Sequence, residues 1–266
     1  MLNQAQIHRF HQDGFLLGDQ VLDHAQVEEL RIELDRVMQD KEAETKPQPV
    51  HIANLGGNPE IPVWQIVNMW QASDTFRSLS CNSKIVEEVA QLSSARELRL
   101  WHDQVQYKPA VVGGITGWHQ DSPLWPILSP KTAQISAWVA LDDVDESNGC
   151  LHMVPESHKW GVCSDFVHQI KSFHSMPKLF QDKEIRVVPC PVKKGYVHYH
   201  HGLTWHGSYQ NSSQRKRRAI ANHYMTEETV YDQAGGHVMK PYVTVNHGEK
   251  LTGKVFPLVW DSDCPA

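Results

Sequence analysis

Two short stretches of the chain carry side chains that could hold a metal ion. The first is Gly117-Trp118-His119-Gln120-Asp121-Ser122. In an extended chain residues i and i+2 point to one face, so the His119 imidazole and the Asp121 carboxylate could converge on one point. The second is Gly202-Leu203-Thr204-Trp205-His206-Gly207-Ser208, where His206 and Ser208 share a face by the same rule. A lone His-x-Asp triplet is a weak signal. Two imidazoles and one carboxylate on one face of an octahedral Fe(II) are more telling, because they leave three adjacent positions for a bidentate cosubstrate and dioxygen. Arg217 stands eleven residues after His206, beyond an Asn211-Ser212-Ser213 turn. A returning strand could bring it near both His206 and Ser208. Its planar fork suits the far carboxylate of a dicarboxylate cosubstrate.

The chain has 17 histidines, so the remaining ones compete as ligands. His198, His200 and His201 precede Gly202 and are read as structural neighbours of the site. His102 shares a face with Gln104 and reads either as pocket-lining or as a buried structural residue. Trp118, Trp125 and Trp205 flank the motifs and are expected to pack, since indoles bury large area. Residues 142–146 read as a solvated loop and Asn148-Gly149 as a tight turn. In the basic run Gln214-Arg215-Lys216-Arg217-Arg218, Arg215 and Arg218 are expected to face solvent.

These motifs need elements to hold them. Residues 3–12 predict a short helix that stops at Gly14, followed by a short strand at 15–17. Asp23 with Gln26 three residues on forms a capping-box pattern, and Val27, Leu30, Leu34 and Val37 repeat at helical spacing. Residues 41–50 read as a loop. Beyond about residue 60 short apolar runs dominate: 63–69, 98–108, 135–141, 185–188, 196–199, 204–209 and 217–225, with a helix at 83–91 between the first two. Many short strands separated by Gly, Pro and Asn turns predict a β-sandwich or barrel with the earlier helices outside it. Residues 159–184, with weak periodicity, read as a candidate lid or substrate loop, or else as a plain surface excursion. Lys159, Lys171, Lys178 and Lys183 in it are too scattered to define a phosphate site.

Bulk properties narrow the function classes. The chain has 266 residues and a formal net charge of -6, which gives no pull toward nucleic acid or anionic membrane. No apolar run approaches the roughly 18–20 residues of a membrane span. The N-terminal residues are too polar for a secretory signal and the C-terminal residues match no peroxisomal address. Cys81, Cys150, Cys163, Cys190 and Cys264 are an odd number without a CxxC pair, which predicts reduced thiols and a cytoplasmic location.

Several stretches together resemble the phytanoyl-CoA dioxygenase family of Fe(II)/2-oxoglutarate oxygenases. They are DQVQYKP (103–109), WHQDSPLWP (118–126), AWVALDDVDESNGCLHMVPESHKWG (137–161) and TWHGSYQNSSQRKRRAI (204–220). The resemblance implies a mainly β chain folded as a double-stranded β-helix, a cupin-like jelly roll, with flanking N-terminal helices. It implies one oxygenase domain over 1–266: helical support at 1–60, jelly-roll core at 61–226 and a C-terminal extension at 227–266. Iron ligation by His119, Asp121 and His206 follows from it, as does a 2-oxoglutarate site with Arg217 and Ser208 on the distal carboxylate. Arg215 and Arg218 are alternatives for that arginine. Arg217 is preferred because it directly precedes the Arg-Ala-Ile that matches the family strand. By the same resemblance Gln104 and Lys108 approach the cosubstrate, and Trp138 is an aromatic neighbour of it.

The implied activity is a dioxygenase that consumes 2-oxoglutarate and O2, releases succinate and CO2, and hydroxylates an unactivated C–H bond of a small molecule or acyl derivative. Asp121 is not the Gly or Ala of related halogenases, which points to hydroxylation. Two departures, Pro155-Glu156-Ser157-His158 and Pro109-Ala110, lie away from the ligands. Alternatives are a cofactor-independent iron enzyme on the same barrel and a non-catalytic barrel that binds a small molecule or 2-oxoglutarate.

Overall fold

The first helix, α1 (Gln4–Asp13), is set at both ends by local chemistry. The Asn3 side chain accepts from the Gln6 amide, and the Gln6 side chain accepts from the Asn3 amide. Gly14 ends the helix in the left-handed region at φ 84, a conformation that costs a residue with a Cβ about 1–2 kcal/mol. Space matters there too, because a Cβ would meet His158 and Thr204. The chain then enters β1 (Phe15–Gln20). The Asp23–Gln26 capping box starts α2 (His24–Gln39), which buries Val27, Leu30, Leu34 and Val37 as its spacing predicts.

The computed structural model describes residues 1–170 and 172–263, so Lys171 and Cys264 lie outside the described residues. After β2 (His51–Asn54) and β3 (Trp64–Val67) come α3 (Asp74–Ser80) and α4 (Ser83–Ser93). Two long strands of the larger sheet follow, β4 (Glu97–Lys108) and, after β5 (Thr116–His119) and the short β6 (Leu128–Ser129), β7 (Gln134–Ala140). Then come β8 (Leu151–Met153), a single-turn α5 (Ser164–Val167), the two-residue pair β9 (Leu179–Phe180) and β10 (Lys183–Glu184), and β11 (Val188–Cys190). The chain continues through β12 (Tyr196–His201), β13 (His206–Ser208), β14 (Arg217–Thr226), β15 (Val230–Tyr231) and β16 (Leu258–Asp261).

Two antiparallel sheets form the jelly roll. The larger runs β1-β12-β7-β14-β4-β3-β2, with β16 also on β4, and the smaller runs β11-β8-β13-β5. The larger sheet therefore draws β1, β2 and β16 from outside 61–226. Residues 185–188 were expected as a strand, but pairing with β8 begins only at Val188 and continues to Cys190. In 204–209 only His206–Ser208 pairs as a strand.

Strand alternation divides the larger sheet into two faces. On one face Val105, Ile220, Val139 and Val197 lie in register across four strands and pack with Leu30 and Leu34 of α2 and Ile85 and Val89 of α4. The helices thus cover the outside of the sheet. The other face looks toward the smaller sheet and carries most of the polar side chains.

Candidate metal centre

β13 pairs with β5 so that His206 lies directly opposite His119, and the two rings are 4.1 Å apart. Their Nδ1 atoms sit 2.9 Å from the Thr204 carbonyl oxygen and 2.8 Å from that of Gly117. A carbonyl only accepts, so Nδ1 carries the proton in both rings and each Nε2 presents a lone pair. Both Nε2 atoms stand 3.5 Å from Asp121 Oδ1. One ligand atom from each of His119, Asp121 and His206 falls within 4.8 Å of the others, a spacing that suits one metal ion.

Asp121 does not reach this point as an extended residue. Its backbone is helical, φ -69 and ψ -56, and it opens a single turn over Ser122–Leu124. The i, i+2 face rule therefore does not place it. The turn is seated against the end of β12, where the Ser122 amide donates to the Gly202 carbonyl at 2.9 Å. A Cβ on Gly202 would lie 2.0 Å from Ser122 Oγ, so the close seating needs glycine. The second carboxylate oxygen, Oδ2, is held from behind: Ser136 Oγ donates to it at 2.8 Å and His200 Nε2 lies at 3.1 Å. Oδ1 alone is left facing the two imidazoles. Burial opposes ionisation of Asp121, but the polar groups around it, His200 among them, outweigh it and hold the carboxyl well below its usual range. Burial pushes His206 well below the ordinary imidazole range, which keeps it neutral as a ligand must be.

Arg217 lies on the same inward face, at the far end of β14. Its guanidinium is fully buried. One terminal nitrogen donates to Ser208 Oγ at 3.2 Å and the other to the Gln106 carbonyl at 3.3 Å, while Nε has no partner. Among the described residues no carboxylate pairs with it. Desolvation pushes its pKa down to about 10, the response expected of a buried charge without a counter-ion. The guanidinium stands 5.7 Å from the centre of the Trp138 ring, whose Nε1 also lacks a partner. The next inward residues of β14 toward the three ligands are Ala219 and Ala221, whose small side chains leave the floor low.

The remaining sequence candidates take distinct places. Gln104 is half-buried and lies in register with Ala221, which is itself opposite Trp138. Lys108 lies opposite Arg217, but its Nζ donates to the backbone carbonyls of Ser208 and Tyr209. It braces the strand that carries Ser208, and burial pushes its pKa well below the usual lysine range. Arg215 stays at the surface, paired with Asp145 at 2.6 Å. Arg218, expected in solvent, is buried and grips Asp142 through two bonds of 3.0 and 2.9 Å. Asp142 is likewise buried rather than part of a solvated loop, because Arg218 and Arg31 neutralise it from two sides. Alternation along β14 explains the split: Arg217 points in and Arg218 points out.

His200 stands behind Asp121, as a structural neighbour. His198 is buried with its ring stacked on Phe15 at 5.7 Å. Trp118 and Trp205 are buried on the outer face of the smaller sheet, where 159–184 packs: Phe173 stacks on Trp118 at 4.5 Å, and Phe166 and Phe180 lie against Trp205. That segment therefore covers the face opposite the one bearing His119 and His206. Sequence reasoning passed over Ser136 and His223. Both fall on inward positions in register across β7 and β14, and the alternation of those strands was the one signal that could have found them.

The pattern described as Phytanoyl-CoA dioxygenase (PhyH) matches residues 10–219. The chain is 26% identical over 248 residues to "Phytanoyl-CoA dioxygenase, peroxisomal" of Rattus norvegicus, covering 85% of this chain and 69% of the relative. Two solved structures share the fold. One is the non-heme alpha ketoglutarate dependent carbocyclase SnoK from nogalamycin biosynthesis, with TM-score 0.76, 24% identity and coverage of 97% of this chain and 96% of that one. The other is the non-heme alpha ketoglutarate dependent epimerase SnoN from the same biosynthesis, with TM-score 0.75, 24% identity and coverage of 96% and 97%.

Proposed function

Because the chain belongs to the phytanoyl-CoA dioxygenase family, we propose that it is an Fe(II)/2-oxoglutarate-dependent dioxygenase that hydroxylates an unactivated C–H bond of a small organic molecule or acyl derivative. The observation that carries this reading is the buried Arg217 guanidinium, without a counter-ion among the described residues, on the inward face toward the three converging ligand atoms. An uncompensated buried charge costs several kcal/mol, on the order of 3–5. A dicarboxylate with its far end on Arg217 and Ser208 supplies the missing anion, so the residues fit the cosubstrate. A cofactor-independent enzyme has no use for such a charge.

In this reading His119, Asp121 and His206 hold Fe(II), and Arg217 with Ser208 holds the 5-carboxylate of 2-oxoglutarate. Bound there, iron and cosubstrate together supply oxygen activation coupled to decarboxylation of 2-oxoglutarate to succinate and CO2. The chain's own part is to position and to exclude. Ser136 and His200 occupy Asp121 Oδ2, which directs a single oxygen at the metal. Trp138, beside the guanidinium, would wall the cosubstrate, the small side chains of Ala219 and Ala221 would leave it room, and Gln104 would border it from β4. Lys108, opposite Arg217, fixes the strand that carries Ser208 and so approaches the cosubstrate's far end. No side chain needs to act as a general base. The carboxylate ligand leaves no position for a halide, which favours hydroxylation. An epimerase and a carbocyclase share the fold, so the fate of the substrate after hydrogen removal depends on how it is held.

We also read the whole chain as one oxygenase domain. No described helix is long and apolar enough to cross a membrane. The four described cysteines are unbridged, which suits the cytoplasmic location we propose.

The test is anaerobic titration of the Fe(II)-loaded protein with 2-oxoglutarate, followed by visible absorption. A weak charge-transfer band is expected with the wild type and not with His206→Ala. Bound iron without a band points to the cofactor-independent enzyme, and no iron binding points to a non-catalytic barrel.

A further inference from the structure

On the inward face of the larger sheet, at the end away from Arg217, lies a second set of imidazoles that the proposed iron and cosubstrate do not use. His102 of β4 and His223 of β14 are register partners on the inward face, with rings 4.8 Å apart. Trp125 stands 5.6 Å from His102 and 4.8 Å from His223. His237, from the segment after β15, stacks on His102 at 5.7 Å, and Trp101 closes the group at 5.4 Å from His102. A bulge in β4 turns Trp101 to this side, since the pairing skips from His102 to Leu100. His223 Nδ1 lies 3.8 Å from Asp121 Oδ2, so the group adjoins the metal centre. Arg217 is six residues away along the same strand, about 20 Å at roughly 3.3 Å per residue.

The hydrogen bonds fix which ring atoms donate. His102 Nδ1 lies 3.3 Å from the Asp103 carbonyl oxygen, which only accepts. The proton is therefore on Nδ1, and Nε2 is an acceptor. Ser136 has one hydroxyl proton and gives it to the Asp121 carboxylate at 2.8 Å. Its oxygen must then accept from His223 Nδ1 at 2.7 Å, which makes His223 Nε2 an acceptor as well. Both Nε2 atoms are buried and neither has a partner. His237 is the complement: its Nδ1 accepts from the Met239 amide at 3.2 Å, so its proton sits on Nε2, at the half-buried rim. Among the described residues no Lys or Arg side chain bonds to any of the three rings.

We propose that His102 and His223, walled by Trp125 and rimmed by His237, form a substrate subsite that takes a hydroxyl or amino hydrogen-bond donor carried on a ring or other apolar frame. Two buried acceptors without partners call for a donor. The indole supplies an apolar, polarisable wall for the frame that carries the donor. Carboxylate and phosphate only accept, so they are refused here, and the phosphates of a CoA ester would have to lie elsewhere. The subsite rests on the function proposed above, whose cosubstrate lies toward the opposite end of that face.

The test uses three probes on the anaerobic Fe(II)·2-oxoglutarate protein, read by ligand-observed NMR titration: cyclohexanol, cyclohexylamine and cyclohexanecarboxylate. The two donors are expected to bind and the carboxylate not to, and the tighter donor identifies the group preferred. His102→Phe should weaken donor binding about tenfold or more. His102→Gln, which keeps an acceptor oxygen, should restore much of it. Failure of both donors to bind, preference for the carboxylate, or equal binding by wild type and His102→Phe would overturn the subsite and leave the two nitrogens to buried water. The charge-transfer band, recorded on the same samples, separates the two proposals. Its absence in the wild type removes the oxygenase reading, whereas its presence with unselective probe binding removes only the subsite.

Discussion

The two faces of the larger sheet are made by the same strands and do opposite work. On the outward face Val105, Ile220, Val139 and Val197 form a continuous apolar row under the helices. One residue further along each strand, on the inward face, the row reads Gln104, Ala221, Trp138 and His198, and the next inward row reads His102, His223, Ser136 and His200. The outward row gains free energy by leaving water. The inward rows bury polar atoms that the chain itself leaves partly unmatched, among them Arg217 Nε, Trp138 Nε1 and both nitrogens of His198. Stability thus comes from one face, and the other carries the unmatched polar groups.

The sharpest way to break this contrast is a pair of substitutions on β14. Ile220→Ala should cost about 2–5 kcal/mol of stability, the usual range for a buried aliphatic truncation, measured by urea denaturation. Succinate formation per folded molecule should barely change. Arg217→Met should do the reverse. Half-saturation by 2-oxoglutarate should rise by roughly 10–100-fold, matching about 1.5–3 kcal/mol for a charge-assisted hydrogen bond. The thermal midpoint without 2-oxoglutarate should stay level or rise, because an unpaired buried charge is gone. A clear drop in that midpoint would mean that Arg217 is chiefly structural.

A smaller effect sharpens the comparison, because the outward face also buries polar residues, Asp103 among them. Asp103 is fully buried there beside Asn222, and burial raises its pKa to about 8. The folded value lies above the unfolded value of about 3.9, so the protonated carboxyl is the form the fold favours. Its stability contribution is complete below about pH 4 and is lost as pH rises toward 8. Asp103→Asn removes this dependence. The variant's thermal midpoint should therefore gain on the wild type between pH 5 and about pH 8. A constant difference across that range would show that Asp103 does not titrate.

The Asp23–Gln26 capping box, the buried stripe of α2 and most long strands were legible because each depends on spacing within one segment. Arg217 could be preferred over its neighbours from the strand match, and alternation along β14 then separates it from Arg218. Local spacing failed at Asp121, which is helical rather than extended. It failed also at Arg218 and Asp142, two charges that are buried because they meet across elements far apart in the chain.

The sequence by itself determined which chemical groups are present, which face of each strand they occupy and where helices begin and end. These follow from backbone periodicity and local hydrogen bonds. The tertiary structure alone decided that Ser136 and His200 would share one oxygen of Asp121, that Arg217 would be buried without a counter-ion, and that His102 and His223 would keep free acceptor nitrogens. Each depends on strand register and sheet facing, and these are fixed by packing between segments that lie far apart in the chain, not by any local pattern.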